Sequence, residues 1–282
     1  MKLAIVTDST CDLTSEFLEQ NNVTVLPLKV IYKDREYLDR IEIQPEDVYS
    51  CFAEEIPTTS MPSPGEVRQV FTQLSNQGYT HVLALHISSG LSGTTDVVKM
   101  VAQEFPHIKT EVIDSKALSL GLGFLVMKAV QLRDLGAKFN DLVNQIKEAQ
   151  KKTKIFFVVK TLEYLKRGGR IGLVQASLGD ILDVKPIISI NEEGKYFTYC
   201  KVRGRKRSIA KLKEIFLEHV QGKQVDLAVA HGDAEEECVG LLKDLLKGNG
   251  VNIRRHFMCE IGPAMVVHAG PGLLGVAFQE VN

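Results

Sequence analysis

His81-Val82-Leu83-Ala84-Leu85-His86 runs directly into Ile87-Ser88-Ser89-Gly90-Leu91-Ser92-Gly93-Thr94-Thr95. A short apolar run of this kind reads as a strand buried on both faces. The stretch rich in hydroxyls and glycine that follows opens a helix near Ser92. In a parallel sheet such a loop lies over the carboxyl edge, where backbone N–H groups face the crevice. Hydroxyls at a helix start, with glycines that let a ligand approach the backbone, suit an anionic group; the same residues also serve as plain helix caps. Two familiar chemistries do not fit. The phosphate-loop pattern GxxxxGK[ST] is absent throughout, and Gly90-Leu91-Ser92-Gly93-Thr94 has Thr where a nucleophile elbow needs its last Gly.

The surrounding chain repeats the strand-then-helix alternation. Leu3–Thr7, Val23–Ile31 and Ile108–Ile113 read as strands. Helix starts are marked by Asp12-Leu13-Thr14-Ser15-Glu16, by Gln44-Pro45-Glu46-Asp47 with Pro in the first turn, and by the capping box Ser63-Pro64-Gly65-Glu66. Helical patterns occupy roughly Ser115 to Leu135 and Phe139 to Lys151. This order predicts a parallel sheet with helices on both faces. The second half differs. Lys154–Lys160 and Lys185–Ile190 read as strands, and the turn Asn191-Glu192-Glu193-Gly194-Lys195 leads into Tyr196–Val202 as an antiparallel hairpin. Ser208–Val220 and Ala234–Leu246 read as helices around a strand at Val225–His231. Short strand signals follow at Val251–Phe257, Met265–His268 and Gly275–Phe278. The expected fold is α/β in two domains. Residues 1–150 form a mainly parallel sheet domain carrying the loops just described. Residues 151–282 form a mixed or antiparallel sheet domain with helices, its tail near 262–282 packing at the domain junction.

The 282 residues are 44% hydrophobic and 24% charged, the balance of a globular protein. No apolar run approaches the ~20 residues that span a bilayer, and the apolar N-terminal stretch is too short for a signal-peptide core. A cytoplasmic protein is expected, with at most transient membrane contact. Cys11, Cys51, Cys200, Cys238 and Cys259 form no CxxC pair, and His81, His107, His219, His231 and His256 show no metal spacing. No metal or cofactor is expected. The net charge of −1 hides an asymmetry: from Lys151 to Lys223 there are 17 Lys and Arg against 7 Asp and Glu. The basic segments Lys166-Arg167-Gly168-Gly169-Arg170 and Lys201–Arg207 are ordinarily a solvated face, yet arginine forks among glycines also suit phosphate or carboxylate. Nucleic acid fits poorly, because the pI of about 6.7 is near neutral and no aromatics alternate with the basic residues.

Three further stretches carry candidate polar groups. Thr58-Thr59-Ser60-Met61-Pro62-Ser63 holds more hydroxyls than a turn and a cap require. His268 abuts Gly270-Pro271-Gly272, where glycines mark turns or a close backbone approach. Asp8-Ser9 ends the first strand at the carboxyl edge, as a cap or as a group facing a ligand.

Taken together, Asp8-Ser9, Thr59-Ser60-Met61-Pro62-Ser63, Ser88–Thr94, Leu162–Ile171, Lys185-Pro186-Ile187 and His268–Gly272 resemble, in that order, the DegV family. These are the fatty-acid-binding subunits of bacterial fatty acid kinase. The resemblance implies one long-chain fatty acid, such as palmitate or oleate, sealed inside a non-catalytic carrier. Its carboxylate would lie at Thr59, Ser60, Ser92, Gly93 and His268. It further implies an ATP-dependent kinase partner, with Arg170 near the pocket mouth serving that partner; in the basic run Lys201–Arg207, Arg203 is the candidate to face the partner or a phosphate. Met61 and Thr95-Asp96 depart from the family pattern, which bears on the pocket lining. Two rival readings are a serine esterase or thioesterase using Ser92, His268 and Asp8, and a scaffold that recognises acidic partners through Arg203–Arg207.

Overall fold

Strands β1 (Leu3–Asp8) and β6 (His81–His86) are apolar on both faces because helices cover both faces. Leu3 and Ile5 point with Leu83 and Leu85 into one core; Ala4 and Val6 point with Val82 and Ala84 into another. The pleat alone sorts these neighbours. The computed structural model describes residues 1–174, 184–247 and 250–281. After β1 come a 3-10 turn at Ser9–Cys11, α1 (Ser15–Gln20), β2 (Val23–Leu26), β3 (Lys29–Ile31), β4 (Glu36–Leu38), α2 (Pro45–Cys51), β5 (Thr58–Ser60) and α3 (Pro64–Asn76). After β6 come α4 (Thr94–Ala102), β7 (Lys109–Asp114), α5 (Ser119–Asp134), α6 (Phe139–Lys151), β8 (Thr153–Val158) and α7 (Glu163–Arg167). The chain continues with β9 (Val184–Ile190), β10 (Tyr196–Arg203), α8 (Arg205–Val220), β11 (Gln224–Gly232), α9 (Glu235–Leu246), β12 (Asn252–Glu260), α10 (Pro263–Ala269) and β13 (Leu273–Val281).

The first sheet is parallel throughout, in the order β2-β1-β6-β7. Helices α3 and α4 lie on one face and α5 and α6 on the other. The second sheet, β10-β9-β8-β13-β11-β12, is antiparallel except for the pair β11–β12. Its outer face packs under α8 and α9 through Phe216, Leu212, Leu241 and Leu245. The expected α/β class holds, with a parallel sheet first and a mixed sheet after it.

Helix α5 joins the two sheets. Every residue from Ser119 to Met127 is buried, so the helix has no polar face in that stretch. It packs on Leu83 and Leu85 of the first sheet and on Ala228 and Ala277 of the second. Two glycines let it come this close. A Cβ on Gly121 would lie 2.3 Å from Ile155 Cδ1, and one on Gly123 would lie 2.8 Å from the Cys11 carbonyl oxygen.

Two sequence expectations need correction. Val23–Ile31 is not one strand: β2 ends at Leu26, and β3 starts at Lys29 in a separate antiparallel sheet with β4 and β5. Pro27 lacks a ladder donor and breaks the run. Met265–His268 is not a strand but the body of α10, which Pro263 opens at a position favourable to Pro. The apolar run there is buried all round, which erases the periodicity that separates helix from strand.

Gly123→Ala should be destabilising by about 1–3 kcal/mol in denaturant unfolding, because the added methyl meets a backbone carbonyl that cannot swing away. This outweighs the ~1 kcal/mol that alanine gains in helix propensity. An unchanged or raised midpoint would show that α5 tolerates a looser fit.

Candidate functional site

Between the two sheets lies a cavity of about 950 Å³, its mouth included. Its space comes from small residues on the second sheet. Ala228 pairs with Ala277, and Ala230 with Gly275, so two successive inward registers of β11 and β13 are hollow. Leu28, Ile87, Leu91, Leu118, Phe157 and Met265 supply apolar walls.

One end is polar. His268 Nε2 lies 2.8 Å from Thr59 Oγ1, which β5 carries across from the small sheet. Ser60 and Ser92 line the cavity beside them, with Ser92 Oγ 2.9 Å from Thr94 Oγ1. Arg170 is the one cation among the described lining residues. Its Nε donates to the Leu91 carbonyl at 3.1 Å and its Nη1 to the Gly168 carbonyl at 2.7 Å. Gly168 presses on the His268 ring, and any Cβ there would sit 2.0 Å from Nδ1.

Buried polar contacts hold these pieces. Asp8 accepts from Thr10 N, from Thr10 Oγ1 at 2.5 Å and from Ile87 N at 2.9 Å, and its Oδ2 lies 3.1 Å from His86 Nδ1. The start of the Ile87–Ser92 loop is thereby tied to the end of β1. Ser88 Oγ donates to the Gly194 carbonyl at 2.8 Å, which seats the β9–β10 turn on the same loop. The start of α10 is anchored by carboxylates: Gly262 N donates to Asp12 Oδ1 at 3.0 Å and Ala264 N to Asp39 Oδ1 at 2.9 Å. Arg40 bridges Asp12 Oδ1 and the Glu260 carbonyl, while Ser119 Oγ donates to Asp12 Oδ2. Asp12, Arg40 and Ser119 all have left-handed backbone, at φ 51°, 64° and 51°. Conformations of that kind cost on the order of 1–3 kcal/mol each and persist only where surrounding contacts hold them.

Burial, and next the Arg170 charge, push the His268 pKa down to about 4. The imidazole is therefore neutral at physiological pH. Burial moves Asp39 the other way, up to about 6.

Thr59, Ser60, Ser92, Arg170 and His268, far apart in sequence, converge on this end of the cavity. Gly93 abuts it: a Cβ there would lie 2.8 Å from the Met61 sulfur, and Met61 is itself a lining residue. Arg203 stands elsewhere, exposed on the edge strand β10 opposite Val184. The esterase arrangement does not form, since Asp8 is committed to Thr10, His86 and Ile87 while His268 bonds Thr59. Sequence reading took Asp12 as part of the start of α1, which Thr14 caps instead, and missed Asp39 and Arg40. Pro263 following Gly262 was the available signal for the helix start that they anchor.

Comparisons with known proteins agree with this fold. The family model described as "Uncharacterised protein, DegV family" matches residues 2–281. A DegV domain-containing protein of Clostridium perfringens is 43% identical over 279 residues, covering 99% of each chain. Among solved structures, a Thermus thermophilus DegV family protein described for its fatty acid binding superimposes with a TM-score of 0.94 at 32% identity, over 100% of both chains. The Bacillus subtilis DegV, described as a fatty acid binding protein, gives 0.90 at 30%, also over 100% of both. Among the described residues no helix is long and apolar enough to cross a membrane.

The depressed His268 pKa has a defined sign. The neutral ring is the form the fold favours, so its contribution to stability is complete above the unfolded value of 6.5 and is lost as pH falls towards 4. NMR titration of the His268 ring should show a midpoint near 4. In Arg170→Ala the midpoint should rise yet stay below 6.5, because burial remains. A midpoint at or above 6.5 in the wild type would mean a solvated or paired imidazole.

Proposed function

The chain belongs to the DegV family, and from that premise we propose that it buries one long-chain fatty acid and presents its carboxylate to an ATP-dependent kinase for acyl-phosphate formation. The observation that carries this reading is a mostly apolar cavity where the neutral Thr59–His268 pair, Ser60, Ser92 and one arginine meet the lining. Each methylene removed from water is worth ~0.8 kcal/mol, so a sixteen-carbon chain gains on the order of 12 kcal/mol gross. The hydroxyls of Thr59 and Ser92 and the neutral His268 orient the carboxylate by hydrogen bonding. The chain acts as a carrier: among the described residues Ser92 Oγ pairs with the Thr94 hydroxyl and not with a base, and the oxygens of Asp8 are engaged elsewhere.

The mouth residue Arg170 and the exposed Arg203 serve the kinase or the phosphate it transfers. Their structural settings differ. Arg203 is exposed, whereas Arg170 is half-buried and bonded to two backbone carbonyls. Arg203→Ala therefore leaves stability unchanged, while Arg170→Ala also loosens the Leu91 loop.

Mass spectrometry of an organic extract from protein made in bacteria should find about one equivalent of a fatty acid, a consequence of the large apolar gain. A lipid-free extract with no uptake of labelled palmitate or oleate would refute the carrier reading. Ser92→Ala and Thr59→Val should each weaken retention by roughly 10- to 100-fold, the effect of a lost charged hydrogen bond worth ~1.5–3 kcal/mol, without unfolding. If both variants retain ligand as the wild type does, the carboxylate sits elsewhere.

Loaded with fatty acid and given the cognate kinase and ATP, Arg203→Ala should make less acyl phosphate at an unchanged melting temperature. The deficit should narrow in high salt, which screens the wild-type arginine too. Normal output from both Arg203→Ala and Arg170→Ala would remove the docking role. Lipid turnover with no kinase added would point to an enzyme instead.

A further inference from the structure

A second depression lies on the outside of the molecule, where β7 and α6 face β8 and the turn after β9. It measures about 1810 Å³, its open side included, and has a mixed lining, in which Glu111, Asp114, Lys147, Glu148, Lys151 and Lys154 stand beside apolar side chains. Among the described residues, Ile155 alone lines both this groove and the apolar cavity. It is only partly buried, unlike Phe157 two residues further on, which is 5% exposed. The Ile155 side chain sits in the niche over Gly121, where a Cβ would lie 2.3 Å from its Cδ1.

Strand register sets this point far from the polar end. Ile155 pairs with Ala277, and Phe157 with Gly275. Leu273, the first residue of β13, follows closely on α10 and its His268. Four residues of strand, about 13 Å, separate Leu273 from Ala277. Beyond Ile155 the surroundings are charged and open to water, where a further methylene gains nothing from burial.

We propose that Ile155 is the end-stop of the cavity, the residue that separates the ligand's methyl end from the outer groove and sets the longest acyl chain sealed from water. This rests on the fatty-acid reading. It adds that chain length is decided by one side chain wedged against Gly121.

The test is a competition series of saturated fatty acids of about twelve to twenty-two carbons against labelled palmitate, for wild type, Ile155→Ala, Ile155→Val and Ile155→Phe. Retention by the wild type should rise about fourfold per methylene and then stop rising at a limiting length. Ile155→Ala, which lacks three carbons, should move that limit up by about two to three carbons, and Ile155→Val by about one. Ile155→Phe should move it down. Should Ile155→Ala fail to fold, the valine and phenylalanine variants decide the matter. A wild type that binds a length series, with the same limit in every folded variant, would overturn the end-stop and leave the carrier standing. A wild type that binds no fatty acid of any length would overturn both.

Discussion

The first half of helix α5 has no side to give to water. From Ser119 to Met127 every residue is buried, so the helix is stable only when both flanks are covered by apolar surface. One flank is the first sheet and the other the second, and Gly121 and Gly123 set how near each may come. The remaining architecture follows from this sandwich. Two sheets held apart by one helix leave a gap beyond the end of that helix, and the gap is the cavity. It persists because the second sheet meets it with Ala228, Ala230, Gly275 and Ala277, side chains too short to close it.

The polar end depends on an economy of charge. A buried carboxylate or cation is expensive unless paired and hydrogen-bonded. Acids beside the cavity serve as structural anchors: Asp8 holds the Ile87 loop, and Asp12 and Asp39 hold the start of α10. What remains facing the cavity is hydroxyls, a neutral imidazole and Arg170. Among the described lining residues no carboxylate stands to repel an anionic ligand. The left-handed backbone at Asp12, Arg40 and Ser119 shows how tightly that anchoring cluster is held, since none of the three is a glycine.

The parallel sheet was legible because β1, β6 and their loops carry strong local signals: unbroken apolar runs, capping residues and hydroxyls at the carboxyl edge. The hairpin after β9 was legible from its turn residues. Where local signals conflict, reading fails. Val23–Ile31 looks continuous until Pro27 is weighed as a missing donor, and α10 looks like a strand because burial on all sides removes its helical period. The small sheet of β3, β4 and β5 was invisible, since strands of three residues have no period to detect.

By itself the sequence determined the fold class and the strand–helix order of the parallel sheet, and it offered Thr59, Ser60, Ser92, Arg170 and His268 as a candidate set, through motifs whose resemblance to one family is specific only in combination. Tertiary structure decided what the set can do. Thr59 and His268 are 209 positions apart, and the packing of α10, with its start held by Asp12 and Asp39, brings them to 2.8 Å. The low pKa of His268 and the place of Ile155 between two cavities are likewise properties of burial and of proximity across sheets. Local sequence does not encode either quantity, because both depend on which distant atoms replace water around a side chain.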